Sequence, residues 1–188
     1  MKAAGKTLAS RCGGVLEKAV PVVSFVGKSG VGKTTALERV LREIKRRGYR
    51  VGTVKHHLHA FELDTPGKDS WRHAQAGSDA VVISSPGGMA LIRRLDGEMP
   101  LDDIIPLMGD VDLIITEGYK RGDKPKIEVA RAAHGTELLC QPEELVALMT
   151  DYPVASHTRV PQFSLEDAAG VVDLLETLYL RLTEEARE

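Results

Sequence analysis

Apolar residues in this chain fall into two kinds of run, and each kind predicts a different element. Residues 21–26 (Pro-Val-Val-Ser-Phe-Val) form a short, nearly unbroken apolar stretch of the kind that buries both faces of a strand. Residues 34–47 instead place Ala36, Leu37, Val40, Leu41 and Ile44 at three-to-four spacing, the single stripe of an amphipathic helix. Arg42, Lys45, Arg46 and Arg47 crowd its last turn, where cations suit the dipole, and Gly48 follows as a left-handed cap. Residues 50–56 read as the next strand. Strand, helix and strand at this spacing imply a right-handed crossover and a parallel sheet.

Residues 57–68 show neither period, and Pro66-Gly67 marks a turn. Asp69 or Ser70 caps a short helix to Ala76, closed by Gly77. A strand at 79–84 turns at Pro86-Gly87-Gly88 and returns antiparallel over 89–95. Pro100 opens a helix of about two turns that ends near Gly109. Strands follow at 111–116, 126–131 and 145–150, and an amphipathic helix over 165–182 closes the chain. The expected architecture is α/β: a three-layer sandwich around a mostly parallel sheet, with an antiparallel hairpin insertion. No repeat or domain boundary is evident. Residues 1–20 are expected to be an N-terminal extension and 21–188 a single domain.

Composition adds mainly exclusions. Of 188 residues, 43% are hydrophobic and 28% charged, ordinary values for a globular protein. Lys+Arg total 25 against Asp+Glu 27, a net charge of −2 that points to neither nucleic acid nor an anionic membrane. Aromatic residues make up 4%, too few for base-stacking platforms. Cys12 and Cys140 have no metal-type spacing, which suits a reducing, cytoplasmic setting. No apolar run reaches membrane-spanning length. Lys2, Lys6 and Arg11 precede no uninterrupted apolar stretch, so residues 1–19 do not read as a signal peptide.

The chemistry concentrates between the first strand and the first helix. Gly27-Lys28-Ser29-Gly30-Val31-Gly32-Lys33-Thr34 fits the phosphate-binding loop pattern, and its strand–loop–helix setting is the one in which the pattern works. Glycines let successive N–H groups turn inward, and the helix start adds unpaired donors. Lys33 would reach the β- and γ-phosphates, and the Thr34 hydroxyl would ligate Mg²⁺. The metal's second partner is sought in the stretch Asp112-Leu113-Ile114-Ile115-Thr116-Glu117. Its two acids lie about 16 Å apart at opposite ends of a strand. Ligands sit beyond the carboxyl ends of parallel strands, so Glu117 is the candidate and Asp112 belongs to the entering turn.

Several blocks together resemble a known family, the molybdopterin-guanine dinucleotide biosynthesis protein B (MobB) family. They are residues 27–35, which add Thr35 to the loop; Lys55-His56-His57-Leu58-His59 with Phe61 and Asp64; and Pro66-Gly67-Lys68-Asp69-Ser70 with Ala76-Gly77. Glu117-Gly118-Tyr119-Lys120 and Pro125-Lys126-Ile127-Glu128-Val129 with Arg131 extend the similarity to about residues 21–180. The Lys-His-x-x-His to Gly-Lys-Asp-Ser block is the specific part, since very many proteins share the loop. The resemblance implies a P-loop fold and a homodimeric GTP-binding accessory protein, at most a slow GTPase. It also implies a partner, the guanylyltransferase that joins GMP to molybdopterin.

The remaining candidates are read beside that resemblance. Residues 55–70 suit a switch loop over the phosphates, with Lys55 and His56 donating to them and Asp64 or Asp69 reaching Mg²⁺ through water. The same stretch admits two other readings, a zinc or nickel site built from His56, His57, His59, His73 and Asp64, or a solvated loop. Lys28 is either solvated or reaches phosphates across a dimer. Lys120, with Arg121 and Lys124, suits a second anionic group or a basic loop. Asp151 either accepts from guanine's N1–H and N2–H₂ or caps the Asp-Tyr-Pro turn. No Asn-Lys-x-Asp guanine signature is present, so guanine rests on the resemblance alone. Three functions compete: a GTP-dependent adapter for molybdenum cofactor maturation, a small-molecule kinase, and a nickel or zinc chaperone GTPase.

Overall fold

The first strand, β1 (Val22–Val26), has all five residues buried, which is possible only inside a sheet covered on both faces. In the computed structural model, which describes residues 19–56 and 64–180, β1 occupies the middle of that sheet. The chain then forms α1 (Lys33–Arg46), β2 (Val51–Lys55), α2 (Asp69–Gln75), β3 (Ala80–Ser85) and β4 (Gly88–Arg93). A short helix α3 (Leu101–Ile104) runs on as a 3₁₀ turn to Met108. After it come β5 (Leu113–Glu117), β6 (Lys126–Ala130), β7 (Leu145–Thr150), β8 (Gln162–Phe163) and α4 (Ala168–Leu175), whose last turn widens into a π-helical segment, Glu176–Leu180. The main sheet has the order β2-β5-β1-β6-β7-β8, and every neighbouring pair is parallel. All its carboxyl ends therefore lie on one edge.

One face of the sheet packs against the apolar stripe of α1 and against α4. Val23, Phe25, Leu113, Ile115, Ile127, Val129 and Met149 meet Ala36, Val40, Ile44, Val171 and Leu175 in this main core. The other face carries a smaller cluster, in which Val26 and Leu148 pack under Cys140, Val154 and Val160. Those covers come from loops and 3₁₀ turns, so the third layer is irregular chain rather than long helix. The architecture is the expected α/β one. Strand boundaries move by one or two residues, the sequence pattern does not show the two-residue edge strand β8, and the closing helix starts at Ala168 rather than at residue 165. Its predicted end beyond Leu180 lies outside the described residues, as do residues 1–18.

Several polar groups inside this packing have partners, as burial favours. The Thr116 hydroxyl donates to Ser24 Oγ at 2.8 Å between β5 and β1. Lys126, 2% exposed, pairs with Glu144 at 2.9 Å and donates to the Gly122 carbonyl. The buried Glu128 carboxylate accepts from the amides of Leu139 and Cys140. Burial, reinforced by Glu128 and Glu144, pushes the Cys140 thiol up to about 12, leaving it without thiolate character at neutral pH. β3 and β4 stand apart as a separate antiparallel pair with Val82, Leu91 and Met89 exposed.

A single arginine ties the end of α1 to α4. Arg47 donates to Glu43 at 2.7 Å, Asp173 at 2.6 Å, Glu176 at 2.8 Å and the Ala169 carbonyl at 3.2 Å. Hydrogen bonds from Arg46 and Arg47 hold the Glu43 carboxyl down to about 2 against an ordinary 4.5. A depressed carboxyl contributes its stability above the unfolded value and loses it as pH falls through the folded one. Replacing Arg47 by Ala should cost about 2 kcal/mol in urea unfolding at neutral pH, between exposed-pair and buried-pair losses. The variant should also lose less further stability than wild type between pH 4.5 and about 2.

Candidate functional site

Close packing of backbone shapes the loop after β1. Gly27 adopts φ +147°, and a Cβ there would stand 2.4 Å from the Val129 carbonyl oxygen of β6. No side chain fits between the two backbones. Gly30 and Gly32 have φ +79° and +90°, the left-handed region that glycine occupies without cost. Gly32 is the residue from which α1 starts, with no side-chain cap and no acid in the first turn. The first N–H groups of α1 thus have no carboxylate competing for them, the condition for holding an anion.

Side chains from two strand ends converge beside this loop. Ladder register sets Lys55 of β2 and Phe25 of β1 level with Glu117 of β5. Glu117 Oε1 accepts from the Thr34 hydroxyl at 2.9 Å, and its Oε2 lies 3.6 Å from Lys55 Nζ. Lys33 Nζ donates to the Lys28 carbonyl at 2.7 Å. Burial first, then Lys120 and Lys55, lower the Lys33 pKa, with Glu117 opposing them. Three ammonium groups around one carboxylate leave an excess of positive charge, which a polyphosphate would offset. A hydroxyl beside a carboxylate also offers the hard oxygen donors that Mg²⁺ takes, so both groups fit the residues present. Asp112 stands at the opposite end of β5, where it accepts from the Arg50 amide at 2.7 Å.

Other sequence candidates fall elsewhere. His56 Nε2 meets Glu98 Oε1 at 2.8 Å, and its ring lies 4.5 Å from that of Tyr119. Tyr119 itself has φ +50°, unusual for a residue with a Cβ. Asp64 accepts from the Thr65 amide at 2.8 Å, and no hydrogen bond joins it to Thr34 or Glu117. His57 and His59 lie outside the described residues, and among those described no three His, Cys, Asp or Glu residues group as a metal site. Lys28 Nζ donates to the His134 carbonyl at 3.3 Å. Asp151, at the carboxyl end of β7, accepts from the Ala132 amide at 2.8 Å, while the Thr150 hydroxyl closes the Asp-Tyr-Pro turn.

Sequence reasoning gave no structural role to the turn after β6. Arg131 Nε donates to the Val31 carbonyl at 2.9 Å, and the His134 ring comes within 3.0 Å of the Cβ position of Gly30. In the sequence Arg131 stands out only as the last residue of the strand expected at 126–131 and as part of the family resemblance. Glu98 was equally hidden, since it belongs to the loop after the hairpin.

A glycine loop on a strand–loop–helix unit, with a hydroxyl, a lysine and an acid from the adjacent parallel strand, defines an α/β protein of the P-loop NTPase type. Residues 22–151 match the family model described as molybdopterin guanine dinucleotide synthesis protein B, and the chain belongs to that family. It is 32% identical to the molybdopterin-guanine dinucleotide biosynthesis adapter protein of Escherichia coli, covering 83% of this chain and 91% of that one. It is 34% identical to the Haemophilus influenzae protein of the same description, over 72% of this chain and 77% of that one. Among solved structures, the Bacillus subtilis MobB superposes with a TM-score of 0.67 at 28% identity, covering 84% of this chain and 98% of that one. A crystal structure of molybdopterin-guanine biosynthesis protein B gives 0.64 at 31% identity, over 84% and 99%.

The loop's shape rests on the approach of β6, so Gly27→Ala should damage it without any change of charge. Pushing the Val129 carbonyl aside should cost about 2 kcal/mol or more in denaturant unfolding. Gly48→Ala, whose Cβ meets nothing within 4 Å, should cost less, about 1 kcal/mol.

Proposed function

We propose that this chain is a GTP-binding adapter in molybdenum cofactor biosynthesis, assisting the attachment of GMP to molybdopterin. The observation that carries the reading is the phosphate loop with Thr34 bonded to Glu117, found in a chain of this family. Gly27, Lys28, Ser29, Gly30, Val31 and Gly32 provide the backbone cradle, with Thr34 and Thr35 at the start of α1. Lys33 and Lys120 meet the phosphate charge, and Lys55 supports them from β2. His56, held by Glu98 and Tyr119, serves as a support for the Glu117–Lys120 turn. Asp151 lies at the strand end suited to guanine, with Oδ1 engaged by Ala132 and Oδ2 left for the base. Asp64 is retained as an outer acid that reaches the metal through water.

Bound Mg²⁺ would supply charge neutralisation for the terminal phosphates. The protein's part is to hold the hydroxyl of Thr34 and the carboxylate of Glu117 together and to keep Lys33 directed at the loop. In this reading GTPase turnover is at most slow, with Lys33 and Glu117 the groups that face the reacting phosphate. The adapter's partners are the guanylyltransferase and molybdopterin or its guanine dinucleotide, in the cytoplasm; among the described residues no helix is long and apolar enough to cross a membrane. A homodimer is supported by the β3–β4 pair. Register places Val82 opposite Leu91 and Ser84 opposite Met89 on one exposed face, and a two-stranded ribbon is marginal alone.

Two experiments test this reading. Glu117→Gln should weaken Mg²⁺-dependent GTP binding about tenfold, about 1.4 kcal/mol, whereas Asp112→Asn at the far end of β5 should leave it unchanged. The reverse pattern would reassign the metal's acid. In reconstituted dinucleotide synthesis with purified transferase, molybdopterin and Mg²⁺ at limiting GTP, adding this protein should raise the yield. Absence of both enhancement and binding to the transferase or molybdopterin would overturn the adapter role.

A further inference from the structure

We infer that Arg131 is a positioning residue of the phosphate loop, aiming the Gly32 amide at the β-phosphate. This rests on the nucleotide-binding reading above and adds a residue that it does not include. Val31 is fixed from two sides. Its side chain is buried in the main core at 1% exposure, and its carbonyl accepts from Arg131 Nε at 2.9 Å. A peptide unit is planar, and there are no cis bonds among the described residues, so the N–H of Gly32 points opposite to the Val31 carbonyl. By holding that oxygen outward, Arg131 turns the Gly32 N–H away from itself and into the loop. Loop N–H groups of this kind cradle the inner phosphates. The guanidinium lies 3.6 Å from where a Gly32 Cβ would stand, an ordinary contact distance that places it against that residue.

Arg131 is itself well held. The turn that it opens is closed by His134 N donating to the Arg131 carbonyl at 2.9 Å and Gly135 N to that of Ala132 at 3.0 Å. Asp151 bonds the Ala132 amide from the end of β7, and Lys28 reaches the His134 carbonyl from the phosphate loop. No carboxylate pairs with Arg131 among the described residues, so its orientation comes from the Val31 carbonyl rather than from an ion pair. The geometry therefore transmits the position of β6 directly to one peptide plane of the loop.

The test compares wild type with Arg131→Met, which keeps an unbranched stem and removes every donor, and with Arg131→Ala. Binding of GMP, GDP and GTP is measured by calorimetry, with unfolding midpoints as a control. Wild type should bind GDP far better than GMP. In both variants GDP and GTP should weaken about tenfold, the loss of one well-aimed hydrogen bond to a charged group, while GMP changes little. The narrowed gap should persist at about 1 M salt, where plain charge attraction is screened. The Gly32 amide resonance should shift in the variants before nucleotide is added. A wild-type GDP–GMP gap retained in folded Arg131→Met would overturn the positioning role alone. Failure of the wild-type protein to bind any of the three nucleotides would overturn the nucleotide reading and this inference with it.

Discussion

Parallel register between three strands is the constraint on which the site depends. β2, β5 and β1 are hydrogen-bonded so that Lys55, Glu117 and Phe25 stand level, and the loop leaves β1 two residues beyond that row. A parallel ladder cannot slip by one residue without exchanging the faces of every side chain. Here that would move Ile115 and Phe25 out of the main core. The apolar packing thus sets the height of Glu117 relative to Thr34. The 2.9 Å bond between them is a consequence of burial many residues away, and it needs no local rigidity of its own.

Charge at this edge works against the fold and for a ligand. Lys33, Lys55 and Lys120 gather around one carboxylate, and the lowered pKa of Lys33 shows that burial and its neighbours disfavour its charged form. An arrangement that is tolerated but incompletely neutralised marks a place where structure yields to function. Elsewhere among the described residues several cations are matched to acids. Arg47 meets Glu43, Asp173 and Glu176, and Lys126 meets Glu144.

The sequence made some of this legible because the relevant information was local. A glycine loop between an apolar run and a helical stripe announces itself within twenty residues, and strand direction alone separated Glu117 from Asp112. What was hidden depended on contacts between distant segments. The bond from Arg131 to Val31 spans a hundred residues, and Glu98 meets His56 only because the chain returns after the hairpin. The two residues of β8 are too few for any periodicity. The hairpin is legible from its Pro-Gly-Gly turn, but the exposure of Val82, Leu91 and Met89 is not, because apolar strand residues ordinarily read as buried. Such a face becomes intelligible when a second surface covers it.

The two coverings of the sheet differ in kind, and this imposes an order on how the molecule opens. On one side α1 and α4 bury a continuous core in which most members are wholly inaccessible. On the other, a few side chains from turns, Cys140, Val154 and Val160 among them, cover Val26 and Leu148. Segments with few apolar contacts have the lowest local opening free energies. Fluctuations should therefore admit solvent first on the turn-covered side, beneath the segments that carry Arg131 and Asp151. The helix-covered side keeps the strands in register meanwhile. The walls of the loop can breathe while its floor stays assembled, so ligand exchange and global unfolding become kinetically separate events.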